Sequence, residues 1–157
     1  MQLNFQGIVI QKYDCGDTHL VIHVMSSNHG KLSILAKHAR KSSKRFGTKI
    51  DLFDQGTFSI SKQSNAMPSL TNFEALGGLK KLRSDMDKLI LASVLAESVD
   101  ILVKEESQHD GPIYSALTLG LAAIDEASSL KDSLRAACFS LSHILAQAGI
   151  SDMKKHN

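Results

Sequence analysis

The chain has 157 residues, 43% hydrophobic and 22% charged, which is enough for one packed domain or two small ones and too apolar for a disordered polypeptide. Its formal charge of +2 conceals a split: residues 1–65 carry nine Lys/Arg against four Asp/Glu, and residues 66–157 carry nine against twelve. A basic front half that suits a polyanion is joined to an acidic back half that does not.

The front half has the period of strands. Residues 5–13 are rich in β-formers, with Ile8, Val9 and Ile10 consecutive. Residues 18–25 alternate, Thr18, Leu20, Ile22 and Val24 facing one way and His19, Val21, His23 and Met25 the other. Asn28, His29 and Gly30 make a turn, and residues 31–37 form a third strand with Leu32, Ile34 and Ala36 on one face. Gln55-Gly56 predicts a bulge or bend before a strand over 57–63, with Phe58 and Ile60 inward and Ser59 and Ser61 outward. Residues 70–75 supply a fifth strand. Five short strands within about 75 residues predict a small closed barrel, most economically of the oligonucleotide-binding (OB) type.

The back half has the period of helices. Ser84-Asp85-Met86-Asp87 predicts a capped start, with Ser84 as the capping hydroxyl and a helix running to about residue 103. Met86, Leu89, Ile90, Val94 and Ile101 form its expected buried stripe, widened by Leu91, Leu95 and Leu102. Asp110-Gly111-Pro112 opens a second helix, with Ile113, Leu117, Leu121 and Ile124 buried. Ser129 and Asp132 cap a third, with Leu134, Cys138, Leu141 and Leu145 as its stripe and Gly149 as its stop. Gly77-Gly78 marks a tight connection between the two halves. The expected class is α+β: a five-stranded OB-type barrel over residues 1–76, then a helical bundle over 77–157.

Between the third and fourth strands lies the segment K-H-A-R-K-S-S-K-R-F-G-T-K at residues 37–49. Lys37, Arg40, Lys41, Lys44, Arg45 and Lys49 put six fixed positive charges into thirteen residues, with His38 beside them and no acid. Such a run repels itself unless an anion meets it. Ser42-Ser43 lets the chain bend and can donate to phosphate, and Phe46 is expected to anchor the loop. Phosphate contacts position a nucleic acid without reading its sequence, so little sequence preference is expected.

Other chemistry is thinly supported. His19 and His23 share a strand face, but no Cys or carboxylate set stands at ligand spacing, so an ordinary exposed histidine face is expected and no metal. Cys15 and Cys138 form neither a disulfide framework nor a zinc motif; the acids Asp14 and Asp17 around Cys15 discourage a thiolate. Glu105-Glu106 and Asp125-Glu126 read as solvated helix ends. No phosphate-cradling loop and no nucleophile, base and oxyanion set is present, so no cofactor and no enzymatic activity are expected. The N-terminus lacks a secretory pattern, and the apolar stretch at 89–96 is too short for a bilayer, so a soluble cytoplasmic protein is expected.

An ordered set of motifs adds to this. G-I-V-I at 7–10, C-G-D-T-H-L-V at 15–21, H-G-K-L at 29–32, A-K-H-A-R-K at 36–41 and R-F-G at 45–47, continued by L-A-S-V-L-A-E at 91–97 and L-A-Q-A-G at 145–149, resemble the RecO family of bacterial recombination mediators. The resemblance implies an OB barrel followed by helices, binding to single- and double-stranded DNA, strand annealing and recombinase loading. It implies RecR, RecF and single-strand-binding protein as partners, and it assigns DNA contact to the barrel's basic residues, here Lys37, Arg40, Lys41, Lys44 and Arg45. Two departures stand out. The family often has Asp-Arg where this chain has Thr18-His19, and its members usually extend into further helices, many with a four-cysteine zinc cluster, so the expectation here is either a shortened member or an incomplete helical domain, without that cluster. On residues alone two alternatives stay open: a protein-interaction module whose basic loop takes acidic peptides, and an RNA-binding OB protein.

Overall fold

A computed structural model describes residues 1–39, 49–106 and 110–149. Five strands, β1 (Gln2–Cys15), β2 (His19–Ser26), β3 (Lys31–Ala36), β4 (Gln55–Ser61) and β5 (Ser69–Ala75), close into a barrel in the order β1-β2-β3-β5-β4. That order is the OB arrangement, and the α+β expectation holds. Four helices follow: α1 (Lys80–Ser84), α2 (Met86–Leu102), α3 (Gly111–Glu126) and α4 (Leu130–Gln147).

The long β1 makes closure possible by serving two neighbours. Its first half pairs with β4 and its second with β2, and the register shifts between Val9 and Gln11. A bulge there bends the strand around the corner. Gly7 and Gly56 face each other at that corner. A Cβ on Gly56 would run into the Glu74 backbone carbonyl, so the three strands approach closely only because a side chain is missing. The irregularities therefore lie at Val9/Gln11 and at Ser59/Ile60, and not at Gln55-Gly56, which are regular members of β4.

The barrel interior is built from alternate residues. Phe5, Val9, Leu20, Ile22, Val24, Leu32, Ile34, Phe58, Ile60, Leu70 and Phe73 form one core, and Phe5, Phe58 and Phe73 stack across three strands at 5.7 and 4.6 Å between centroids. Ile8, Ile10 and Met25 point outward, yet they are fully buried because the helices pack on this outer face with Phe53. The consecutive Ile8-Val9-Ile10 thus reflects burial on both faces of one strand.

The helices correct several expectations. α1 was not foreseen; five residues give no period. Its buried Leu82 donates its N–H to Asp125 Oδ1 at 2.8 Å, so Asp125 is a buried acceptor and not a solvated helix end. The N-cap of α2 is Asp85, which accepts from the Lys88 N–H, while Ser84 donates back to the Lys81 carbonyl. The expected α2 stripe points outward: Met86, Ile90, Val94 and Ile101 are exposed, and Lys88, Ala92, Leu95, Ala96 and Val99 are buried. In α4 the core positions are Ser133, Ala137, Ser140 and Ile144, with Leu134 and Cys138 exposed. A Cβ on Gly120 of α3 would collide with Ser140, so α3 and α4 touch through small residues, and the larger leucines are left to the side. The α3 stripe, the Ser129 cap and the left-handed Gly149 (φ 84°) follow expectation.

Polar contacts tie the helices to the barrel. Glu105 accepts from Ser33 Oγ, its backbone forms a parallel β-bridge with Lys31, and the Glu106 carboxylate pairs with Lys62 at 2.6 Å, so these residues are fastened to the barrel and are not simple solvated ends. No helix of the described residues is long and apolar enough to cross a membrane.

Candidate nucleic-acid interface

The basic segment begins and ends in core anchors. Lys37 is exposed directly after β3, and Ala39, two residues on, is only 3% exposed and belongs to the barrel core. Lys49 is exposed, and Ile50 after it is 1% exposed and joins the same core. From Ile50 the chain crosses β1 at its bulge: Phe53 donates to the Val9 carbonyl at 2.9 Å, and Val9 donates to the Asp54 carbonyl at 3.0 Å. Arg40, Lys41, Lys44 and Arg45 lie outside the described residues.

The strand register fixes what surrounds the first anchor. Leu20 of β2 faces Ala36 of β3, which brings the β1–β2 turn beside Lys37 and His38. The His38 backbone N–H donates to His19 Nδ1 at 3.0 Å, and the two rings meet edge to face at 4.9 Å. Leu35 pairs in parallel with Ser69 and donates to the Pro68 carbonyl at 2.8 Å, which brings the β4–β5 connection to the same rim. The β1–β2 and β4–β5 loops are the ones with which OB barrels hold nucleic acid.

His19 and His23 do not converge on a common point. His19 is tied to His38, whereas His23 Nδ1 bonds Asp100 Oδ1 at 2.7 Å on α2 and its ring packs on Tyr13 at 5.2 Å. Both are half-buried, which replaces the exposed histidine face expected from sequence. Cys15 and Cys138 are exposed free thiols.

The first acids after the run have their own cations. Asp51 pairs with Lys12 at 2.8 Å and Asp54 with Arg83 at 2.7 Å, and the Asp51 N–H donates to Asp54 Oδ2. Burial pushes the Asp51 carboxyl up, but the Lys12 hydrogen bond, the Leu52 N–H and the charges of Lys12 and Arg83 outweigh it and hold the carboxyl below the usual range. Burial dominates at Asp54 and holds its carboxyl above that range, against the pull of the Asp51 N–H and Arg83. Lys49 makes no ion pair with another described residue. The nearest carboxylates downstream of the cationic run, Asp51 and Asp54, are therefore engaged with other cations.

A groove of about 300 Å³ opens beside Lys37, lined by Leu35, Ser61, Gln63, Ala66, Met67 and Ser69. It was not legible in the sequence. Leu35 and Ser69 meet only through barrel closure, and no local pattern announces that pairing. The larger cleft between α3 and α4, about 390 Å³, is apolar and lies wholly on the helices.

Residues 1–79 match the family model described as "Recombination protein O N terminal". The chain belongs to the RecO family. It is similar to the DNA repair protein RecO of Shouchella clausii, at 35% identity over 63% of this chain and 38% of that protein. It is also similar to the proteins of the same name from Desulfatibacillum aliphaticivorans, at 29% identity over 92% of this chain and 56% of the relative, and from Anaeromyxobacter dehalogenans, at 27% over 86% and 53%. The chain spans about half the length, or less, of these curated relatives. The family match covers the whole barrel, both core anchors of the basic segment and the groove beside Lys37.

Proposed function

We propose that this chain is a DNA-binding recombination mediator in DNA repair, with residues 1–76 as the nucleic-acid-binding domain and 77–157 as the helical domain. The basic segment, with Lys37, Arg40, Lys41, Lys44, Arg45 and Lys49, grips sugar-phosphate backbones of single- and double-stranded DNA without sequence preference. Bringing two strands onto one cationic surface removes their mutual repulsion, which promotes annealing. Loading of a recombinase follows in company with RecR, RecF and single-strand-binding protein, the partners that the resemblance implies.

The observation that carries this reading is the bracketing of residues 40–49, with five of the six cations, by Ala39 and Ile50. Each is sunk in the barrel core, and Ala39 follows the end of β3, at the rim shared by the β1–β2 and β4–β5 loops. A merely solubilising loop needs no such anchors. The names of the relatives, DNA repair proteins all, support the same role. The reading is tested by anisotropy of a labelled oligo-dT with the Arg40→Ala/Lys41→Ala/Lys44→Ala/Arg45→Ala variant; unaltered affinity in a folded variant rejects it.

A further inference from the structure

We infer that the groove beside Lys37 is a nucleobase subsite, which takes the base of one nucleotide of a bound single strand while the adjoining basic segment takes its phosphates. The inference rests on the DNA reading above and goes beyond it. Phosphate contact alone makes no use of bases, whereas this groove selects for them.

Four observations point there. The groove has a volume of about 300 Å³, at the lower end of cavities that hold small organic groups. Its lining combines apolar surface from Leu35, Ala66 and the half-exposed Met67 with the polar side chains of Ser61, Gln63 and Ser69, and contains no carboxylate. That is the chemistry of a base, which has a flat apolar face and a polar edge. The side chains of Ser61, Gln63 and Ser69 make no hydrogen bond to another described residue, so their donors and acceptors are available to an incoming edge. Finally, Lys37, the first residue of the cationic run, is itself part of the lining, so cationic charge borders the groove.

The occupant is a base of single-stranded DNA and not of a duplex. A paired base presents only its edge at the bottom of a helical groove, and its face is stacked on its neighbours. Gln63 carries both donors and an acceptor, so it can serve any of the four bases, and base preference at the site is expected to be weak.

The test compares a labelled oligo-dT with an abasic oligomer of the same length and charge, using the full chain and its Gln63→Ala/Met67→Ala variant. Both residues are exposed, so the melting temperature is expected to be unchanged. The wild type is expected to prefer oligo-dT over the abasic strand. The variant is expected to bind oligo-dT about three- to tenfold more weakly while its abasic affinity stays the same. Equal wild-type affinity for both strands with a steep salt dependence overturns the subsite and leaves the DNA reading standing, as does a variant that retains the full preference. Absence of binding to either strand removes both.

Discussion

His23 Nδ1 lies 2.7 Å from Asp100 Oδ1, although the two residues are 77 positions apart. Lys31 joins them, donating to the Asp100 carbonyl at 2.6 Å with its ammonium 3.3 Å from the carboxylate. One aspartate near the end of α2 thus collects two side chains from neighbouring barrel strands, and it fixes the helices against the outer face made by Ile8, Ile10 and Met25. Replacing Asp100 with Ala leaves the largely buried Lys31 without its counter-charge. The expected loss is about 2–3 kcal/mol in urea unfolding. A loss below about 0.5 kcal/mol, the scale of a neutral surface change, would show that the contact does not hold the two parts together.

Lys88 is a second buried cation with a structural use. Its ammonium donates to the Asp125 and Ala127 carbonyls at 2.7 and 2.8 Å, at the C-terminal end of α3, where the helix dipole favours positive charge. Lys88→Met keeps the stem but strands those carbonyls. A destabilisation of about 2–3 kcal/mol is expected, measured by urea unfolding.

The corner glycines give a steric prediction. Gly56→Ala places a methyl against the Glu74 carbonyl, and the backbone cannot yield without breaking β4–β5 pairing. The expected cost is about 2–3 kcal/mol, read as a lowered unfolding midpoint. Gly16→Ala, which meets no atom within 4 Å, carries only the strain of φ 64° and is expected to cost less.

Acid stability follows from Asp51. Its folded carboxyl is held below the ordinary value of 3.8, so its stabilising contribution is fully present above that pH and is lost as pH falls through the folded value. The stability difference between wild type and Asp51→Asn is therefore expected to be constant from neutral pH down to about pH 5 and to shrink below about pH 4. Asp54, shifted the other way, contributes most at low pH and loses that contribution as pH rises through its raised value. A difference for Asp51→Asn that grows on acidification would contradict the assignment.

Much of this was legible where one period dominated. Leu20, Ile22 and Val24, then Leu32, Ile34 and Ala36, alternate cleanly because β2 and β3 have one face in the barrel. Ile113, Leu117, Leu121 and Ile124 repeat at helical spacing because α3 has one buried side. α2 defeated the same reasoning because it is apolar all round. Ala92 and Ala96 took the close contact and left Met86, Ile90 and Val94 outside, a choice made by packing distance and not by hydrophobicity. The basic segment was plain in the sequence. Its two anchors, the His19–His38 contact and the groove at Met67 were not, since each depends on which strands become neighbours when the barrel closes.

The salt dependence of single-strand binding bears most directly on the central claim. If about four to six cations of the basic segment meet phosphates, log affinity for oligo-dT should fall against log salt with a slope of roughly −3 to −4. The Arg40→Ala/Lys41→Ala/Lys44→Ala/Arg45→Ala variant should lose most of that slope with its melting temperature unchanged. A folded variant that keeps the wild-type slope and affinity would contradict the account.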